Sequence, residues 1–174
     1  TPTPPPGGIT VALTSGAPQT GAISPPPPGY VHIGETQYTI QVPSGATQLK
    51  VDLNGNIDVD LYLRYGARIA IQNGVIVADF KSETTANNES ITVTPGSSPA
   101  LRAGLYYIAV GNYGPGDANI TVTATVTGGS GNCSFTISPT SRNVAAAGIL
   151  GAVNVTTSAG CNWTATSNAN FITV

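Results

Sequence analysis

Asp52, Asn54, Asn56, Asp58 and Asp60 occupy every second position of the stretch "DLNGNIDVDLYLRYG", in a chain where only 8% of residues are charged. Oxygen-bearing side chains at that spacing raise two chemistries: a loop that holds a hard cation such as calcium, or a strand with one acidic face. An EF-hand loop starting at Asp52 fails twice. Its sixth residue is Ile57, where glycine is needed for the turn, and its twelfth is Leu63, where a bidentate glutamate belongs. The strand reading fits better, because Ile57, Val59, Leu61 and Leu63 alternate with Asp58, Asp60, Tyr62 and Arg64. It sets Asp58 and Asp60 on one polar face about 7 Å apart and makes "NGN" the turn of a hairpin, with Asp52 on the preceding strand. Val59, Leu61 and Leu63 are then expected to be buried, with Asp58 and Asp60 held by backbone N–H groups or by Arg and Lys. No cofactor is expected; an irregular calcium site on Asp58 and Asp60 stays open as the alternative that is not favoured.

Catalytic constellations are missing from the rest of the sequence. There is no G-x-S-x-G, no H-E-x-x-H and no glycine-rich phosphate loop between a strand and a helix. His32 is the sole imidazole, and a lone histidine in a strand is usually structural. Two carboxylates side by side on one strand suit glycoside hydrolysis poorly, since that chemistry needs them facing each other across a cleft. Aromatic side chains offer binding instead. Tyr62, Tyr65, Tyr106, Tyr107, Tyr113 and Trp163 could present flat apolar area with a polar tip, against the competing reading that they fill the core; a regular strand buries only one of Tyr106 and Tyr107. The candidate binding residues are Asp58, Asp60, Tyr62, Tyr106 and Trp163. The only two cysteines, Cys133 and Cys161, lack the neighbouring histidines that a zinc site would need and are expected to form a disulfide.

The elements that must position these residues are strands. Twenty-one Gly, 14 Pro and abundant Thr, Val and Asn favour short strands and turns over long helices. "QYTIQV" puts Tyr38, Ile40 and Val42 on one face, "QLKVDL" does the same for Leu49, Val51 and Leu53, and "NITVTATV" for Ile120, Val122, Ala124 and Val126. Turns such as "PSG", "TPGSS" and "YGPGD" separate them. The expected fold is all-β: an antiparallel, jelly-roll-like β-sandwich in which each sheet buries one face, plus a partial second immunoglobulin-like module. "TPTPPPGG" at 1–8 is an extended linker, and "TGGSGN" at 127–132 divides a sandwich at 9–126 from the module at 133–174.

Composition also excludes partners. Six Lys or Arg and a net charge of -2 leave too little positive charge for nucleic acid or an anionic membrane surface. The apolar run Val144–Val153 is far short of the roughly 20 residues that span a bilayer. With no methionine and no signal segment, the chain is expected to be a piece of a longer exported precursor.

"GETQYTIQVPSGATQLKVDLNGNIDVDLYLRYG", followed by "LRAGLYYIAVGNYGPGDANITVTATV", resembles the bacterial pre-peptidase C-terminal domain over roughly Ile9 to Val126. The Asp-x-Asp-Leu-Tyr at Asp58–Tyr62, the "AGLYYIAV" at Ala103–Val110 and the closing Thr/Val strand carry the likeness. It implies a non-catalytic module of a secreted bacterial peptidase or other hydrolase, often removed on maturation, with some relatives binding collagen or insoluble polymer. "CSFTISPTSRNVAAAGILGAVNVTTSAGCNWTATSNANFITV" is similar to BACON domains, through Cys133, Cys161, Trp163 and the ending "SNANFITV", with Phe171 where that family commonly has tryptophan. That likeness implies carbohydrate or mucin binding, in a module that stops at about half its usual length. The partners so implied are an extracellular protein or polysaccharide polymer and a parent catalytic domain in the same precursor. The alternative is a structural or adhesive segment of a large secreted or cell-surface protein.

A Cys133–Cys161 bridge would close a loop of about 29 residues and stabilise the C-terminal module by on the order of 3 kcal/mol. Mass spectrometry of the unreduced chain is expected to show two fewer protons than the reduced form, against the contrary result of two alkylatable thiols under native, non-reducing conditions.

Overall fold

The computed structural model describes residues 8–25, 32–129, 135–148, 150–157, 163–170, 172 and 174. Alternating apolar residues along these segments build two packed sheets. The first has five strands in the order β1 (Thr10–Ala12), β3 (Gln37–Val42), β10 (Gly104–Asn112), β5 (Val59–Tyr65) and β8 (Phe80–Ser82). The second has four: β2 (Pro18–Ile23), β11 (Ala118–Gly128), β4 (Ala46–Gly55) and β9 (Asn88–Val93). All pairings are antiparallel except β1 with β3. No helix long and apolar enough to cross a membrane occurs among the described residues.

The main core lies between the sheets and follows strand parity. Leu49, Val51 and Leu53 of β4 stand opposite Val126, Ala124 and Val122 of β11, while Leu61 and Leu63 of β5 stand opposite Val110 and Ile108 of β10. Val59, Leu61 and Leu63 are fully buried, as the alternation requires.

Two expectations need correction. "NGN" is not a hairpin turn: β4 belongs to the four-stranded sheet and β5 to the five-stranded one, so residues 56–58 carry the chain across the sandwich. Both edges of β4 are already taken, by β11 and β9, leaving no position beside it for β5. Alternation tells which face is buried and says nothing about which strand lies alongside. Asn56 continues the pairing past the end of β4, its N–H donating to the Asn119 carbonyl and its Oδ1 accepting from the Asn119 N–H at 2.7 Å.

The second correction concerns burial. The five-stranded sheet buries both faces, because β6 (Ala70–Gln72) and β7 (Val75–Val77) form a small hairpin whose flanks pack on its outer side. The turn between them is Asn73–Gly74, both at positive φ (51° and 77°), the geometry that a two-residue hairpin with right-handed twist demands. Ile33, Ile69 and Ile76 pack there with Tyr62 and Ala109, forming a second core. Gln37 fastens it: its buried amide donates to the Ile69 carbonyl at 2.7 Å and accepts from the Ile69 N–H at 3.0 Å. Of the paired tyrosines in β10, Tyr106 points into the main core and Tyr107 packs partly under this outer cover.

Beyond β11, which runs on through Gly128, β12 (Phe135–Ser138) and β13 (Asn154–Thr157) form a two-stranded ribbon with Ile137 opposite Val155. This ribbon is the only paired structure in the C-terminal segment among the described residues. Cys133, Cys161 and Phe171 lie outside the described residues.

Removing the Gln37 amide would leave the Ile69 N–H and C=O buried without partners. Gln37→Leu is therefore expected to cost about 2–5 kcal/mol in urea unfolding, whereas Gln41→Ala, at an exposed position of the same strand, should stay within about 0.5 kcal/mol.

Candidate functional site

Polar side chains gather at one end of the five-stranded sheet. Asp60 and Tyr62 lie on the outward parity of β5, Gly111 faces Asp60 from β10, and Lys81 of β8 faces Tyr62. Asp58 immediately precedes β5, Tyr113 follows β10, and Glu83 follows β8. Because the outer cover shuts this face off from water, Asp60 is only 7% exposed and Tyr62 is fully buried.

Their contacts form a short chain. The Tyr62 hydroxyl donates to Asp60 Oδ2 at 3.1 Å and lies 3.3 Å from the Tyr113 hydroxyl. The Tyr113 N–H donates to the Asp58 carbonyl at 3.1 Å, tying the loop after β10 to the start of β5. Gly111 makes room for both rings: a Cβ there would stand 2.9 Å from the Tyr113 ring and 3.3 Å from that of Tyr62. Fully buried Asn112 shapes the loop, its Nδ2 donating to the carbonyls of Ile23 and Gly116 and its Oδ1 accepting from the Gly114 N–H.

The electrostatics are one-sided. Burial raises the Asp60 carboxyl to about 6, opposed by the Tyr62 hydrogen bond and reinforced by the negative charges of Glu83, Asp58 and Glu89. Burial, then the bond to Tyr113 and the Asp60 charge, push the Tyr62 hydroxyl well above the ordinary phenol range. Lys81 stands 6.0 Å from the Tyr62 ring centre and 3.9 Å from Glu83. The expected Arg or Lys partner for Asp60 is thus replaced by a tyrosine hydroxyl. Asp58 Oδ1 is buried with no hydrogen-bond partner among the described residues.

The other sequence candidates lie elsewhere. Asp52 sits on the four-stranded sheet, paired with Lys50 at 2.8 Å and accepting from Ser90 Oγ at 2.9 Å. Tyr106 is core: its hydroxyl accepts from the Arg102 N–H, its ring meets Tyr65 edge-on at 5.2 Å, and it presents no surface to a ligand. Trp163 is 52% exposed in the C-terminal segment, outside both cores. His32 adjoins the corner through its carbonyl, 3.3 Å from where a Gly111 Cβ would be. No group of three or more His, Cys, Asp or Glu side chains among the described residues is arranged to hold a metal ion.

Glu83 and Glu89 went unmarked in the sequence reading. Glu89 had a signal, since it shares the inward parity of Ile91 and Val93 and a carboxylate there must find donors. It finds them in the hydroxyls of Ser82 and Thr84 and the Thr84 N–H, which tie the edge of one sheet to the edge of the other.

Comparison with known proteins finds several likenesses. Residues 35–112 match the family model for the bacterial pre-peptidase C-terminal domain, a span that takes in β3 to β10 and every member of the corner except Tyr113. Among the solved structures that resemble it, two are similar at low identity. One is the pre-peptidase C-terminal domain of a collagenase from Bacillus anthracis (14% identity, TM-score 0.44, covering 67% of this chain and 94% of that one). The other is PliG of Aeromonas hydrophila, a periplasmic inhibitor of g-type lysozyme (15% identity, TM-score 0.47, covering 68% and 96%). No curated protein matches. The family match does not extend to residues 133–174, whose resemblance to BACON domains gains no support.

A carboxyl raised by burial makes the folded state hold a proton that the unfolded chain has released. That contribution is fully present below the ordinary value of 3.8 and is lost as pH rises through about 6. Asp60→Asn keeps the shape and removes the charge. It is expected to raise stability at neutral pH by up to about 3 kcal/mol and to flatten the fall in stability between about pH 4 and 6, read from urea unfolding at a series of pH values.

Proposed function

We propose that this chain is a non-catalytic accessory module of a secreted bacterial peptidase or other hydrolase, one that binds substrate or polymer, targets the enzyme or spaces its domains. The observation that carries the proposal is the pre-peptidase C-terminal match over residues 35–112, the stretch that builds most of the outer cover and of the acidic corner. Domains of that family typically accompany secreted peptidases without taking part in their chemistry. The ligand class that suits it is an extracellular protein or polysaccharide polymer, and the parent catalytic domain would lie in the same precursor.

A structural or adhesive segment of a larger surface protein is the second reading. The ribbon of β12 and β13 favours it, because a two-stranded ribbon with Phe135 and Ile137 about half exposed is marginal alone and suits a string of neighbouring β-modules.

Two assays test the proposal together. The purified chain is expected to leave casein, p-nitrophenyl esters and p-nitrophenyl glycosides unhydrolysed; turnover that disappears in His32→Ala would overturn the non-catalytic assignment. Co-sedimentation with insoluble collagen and with insoluble polysaccharide should bring the chain down with at least one of them. Failure to pellet with either favours the structural segment.

A further inference from the structure

Four strands end the two main sheets, and three of them are guarded against further pairing. β1 and β8 are three residues long, and β9 carries Glu89, whose carboxylate is bonded to the hydroxyls of Ser82 and Thr84. β2 differs. It runs for six residues, Pro18 to Ile23, contains no charged side chain, and among the described residues pairs along one edge only, with β11. The unpaired backbone N–H and C=O groups of such an edge are a template for another strand.

A recess of about 540 Å³ lies against this strand. Its lining takes in β2 continuously from Gln19 to Ile23 and no residue of β11, so it sits on the side of β2 away from the paired edge. Val11 of β1, Glu35 and Tyr38 line it from the other sheet. The Tyr38 ring belongs to the main core and the residue is only 4% exposed, yet its hydroxyl is aimed at Gly21, where a Cβ would collide with it. The fully buried tyrosines, Tyr62 and Tyr106, each have a hydrogen-bond partner for the hydroxyl; that of Tyr38 has none among the described residues. Burial raises its pKa above the ordinary phenol value and so keeps it a neutral donor. A hydroxyl in that position gains from any ligand group that reaches it.

The lining also selects among ligands. Stacking of a sugar needs an exposed ring face, whereas Tyr38, the only aromatic residue in the recess, offers its tip. Glu35 is the only Asp, Glu, Lys or Arg there, which disfavours an anion. An extended polypeptide uses what is present, main-chain groups against β2 and one side chain turned into the recess. We propose that the recess beside β2 binds an extended polypeptide segment, which adds to the four-stranded sheet as a further strand and turns a hydrogen-bonding, non-acidic side chain towards Tyr38. Such a site deepens the accessory reading above and rests on it for the polypeptide partner; its place in the fold rests on β2 and the recess alone.

The test is nuclear magnetic resonance on the full chain, labelled with ¹⁵N, with the acetylated and amidated peptide Thr-Val-Lys-Val-Thr as probe. At about 1 mM the peptide should shift the amide signals of Gln19 to Ile23 and slow hydrogen exchange at those facing the free edge. Methylating the peptide's backbone nitrogens on the pairing side should abolish both effects. Tyr38→Phe, which leaves the ring in the core and removes the hydroxyl, should lower the affinity about three- to tenfold. Equal affinity for the methylated peptide, an affinity that Tyr38→Phe leaves unchanged, or no shift in β2 would each overturn the site. Slowed exchange in β2 that grows with protein concentration in the absence of peptide would put a second copy of the chain there instead. A chain that pellets with collagen while β2 ignores the peptide would keep the accessory role and overturn this site.

Discussion

With a neighbour on each edge and a cover on each face, β5 keeps Asp60 and Tyr62 almost entirely out of bulk water. Its inward residues, Val59, Leu61 and Leu63, need only apolar contacts. Asp60 and Tyr62 on the other face must satisfy each other, which is why the hydroxyl of one reaches back to the carboxyl of the other and why the position beside Asp60 on β10 carries no side chain at all. The hairpin of β6 and β7, the Gln37 amide and the second apolar cluster all serve the same closure. Without that outer layer Asp60 would be an ordinary solvated acid on a sheet surface.

How much of this could be read from the chain depended on whether the answer was local. Parity was local: Val59, Leu61, Leu63, Leu49, Val51 and Leu53 announced their burial by spacing, and every one is in the main core. Partnership was not local. Nothing in "DLNGNIDVD" distinguishes a hairpin from a crossing between sheets, because that choice was made by β9 and β11, which claim both edges of β4 from far along the chain. The same holds for the outer cover. Asn73–Gly74 between Ile69–Ile71 and Val75–Val77 is a strong hairpin signal, yet where that hairpin lands is decided by Gln37, more than thirty residues upstream. Among the candidate binding residues, Asp60 and Tyr62 converge with Asp58, whereas Tyr106 was diverted into the core by the parity of β10 and Trp163 stands apart in the C-terminal segment.

The family match ends at Asn112, but the packed unit does not. β11 lies between β2 and β4 and supplies Ile120, Val122 and Ala124 to the main core, so a chain cut at the end of the matched region would lose a central strand of the four-stranded sheet. β1 and β2 add an edge to each sheet from the other side of the match. The segment that the family model matches is therefore narrower than the segment whose side chains depend on one another.

The two ends of the sandwich are unequal in a way that bears on mechanical load. Tension applied along the chain enters through β1, an edge strand whose parallel pairing with β3 spans Thr10 to Ala12, supported by the Arg68 guanidinium reaching Thr10 Oγ1 and the Ile9 carbonyl. It leaves through β11, eleven residues long and bonded along both edges. The upstream end of the sandwich therefore rests on three paired residues and one guanidinium, and the downstream end on a strand gripped from both sides.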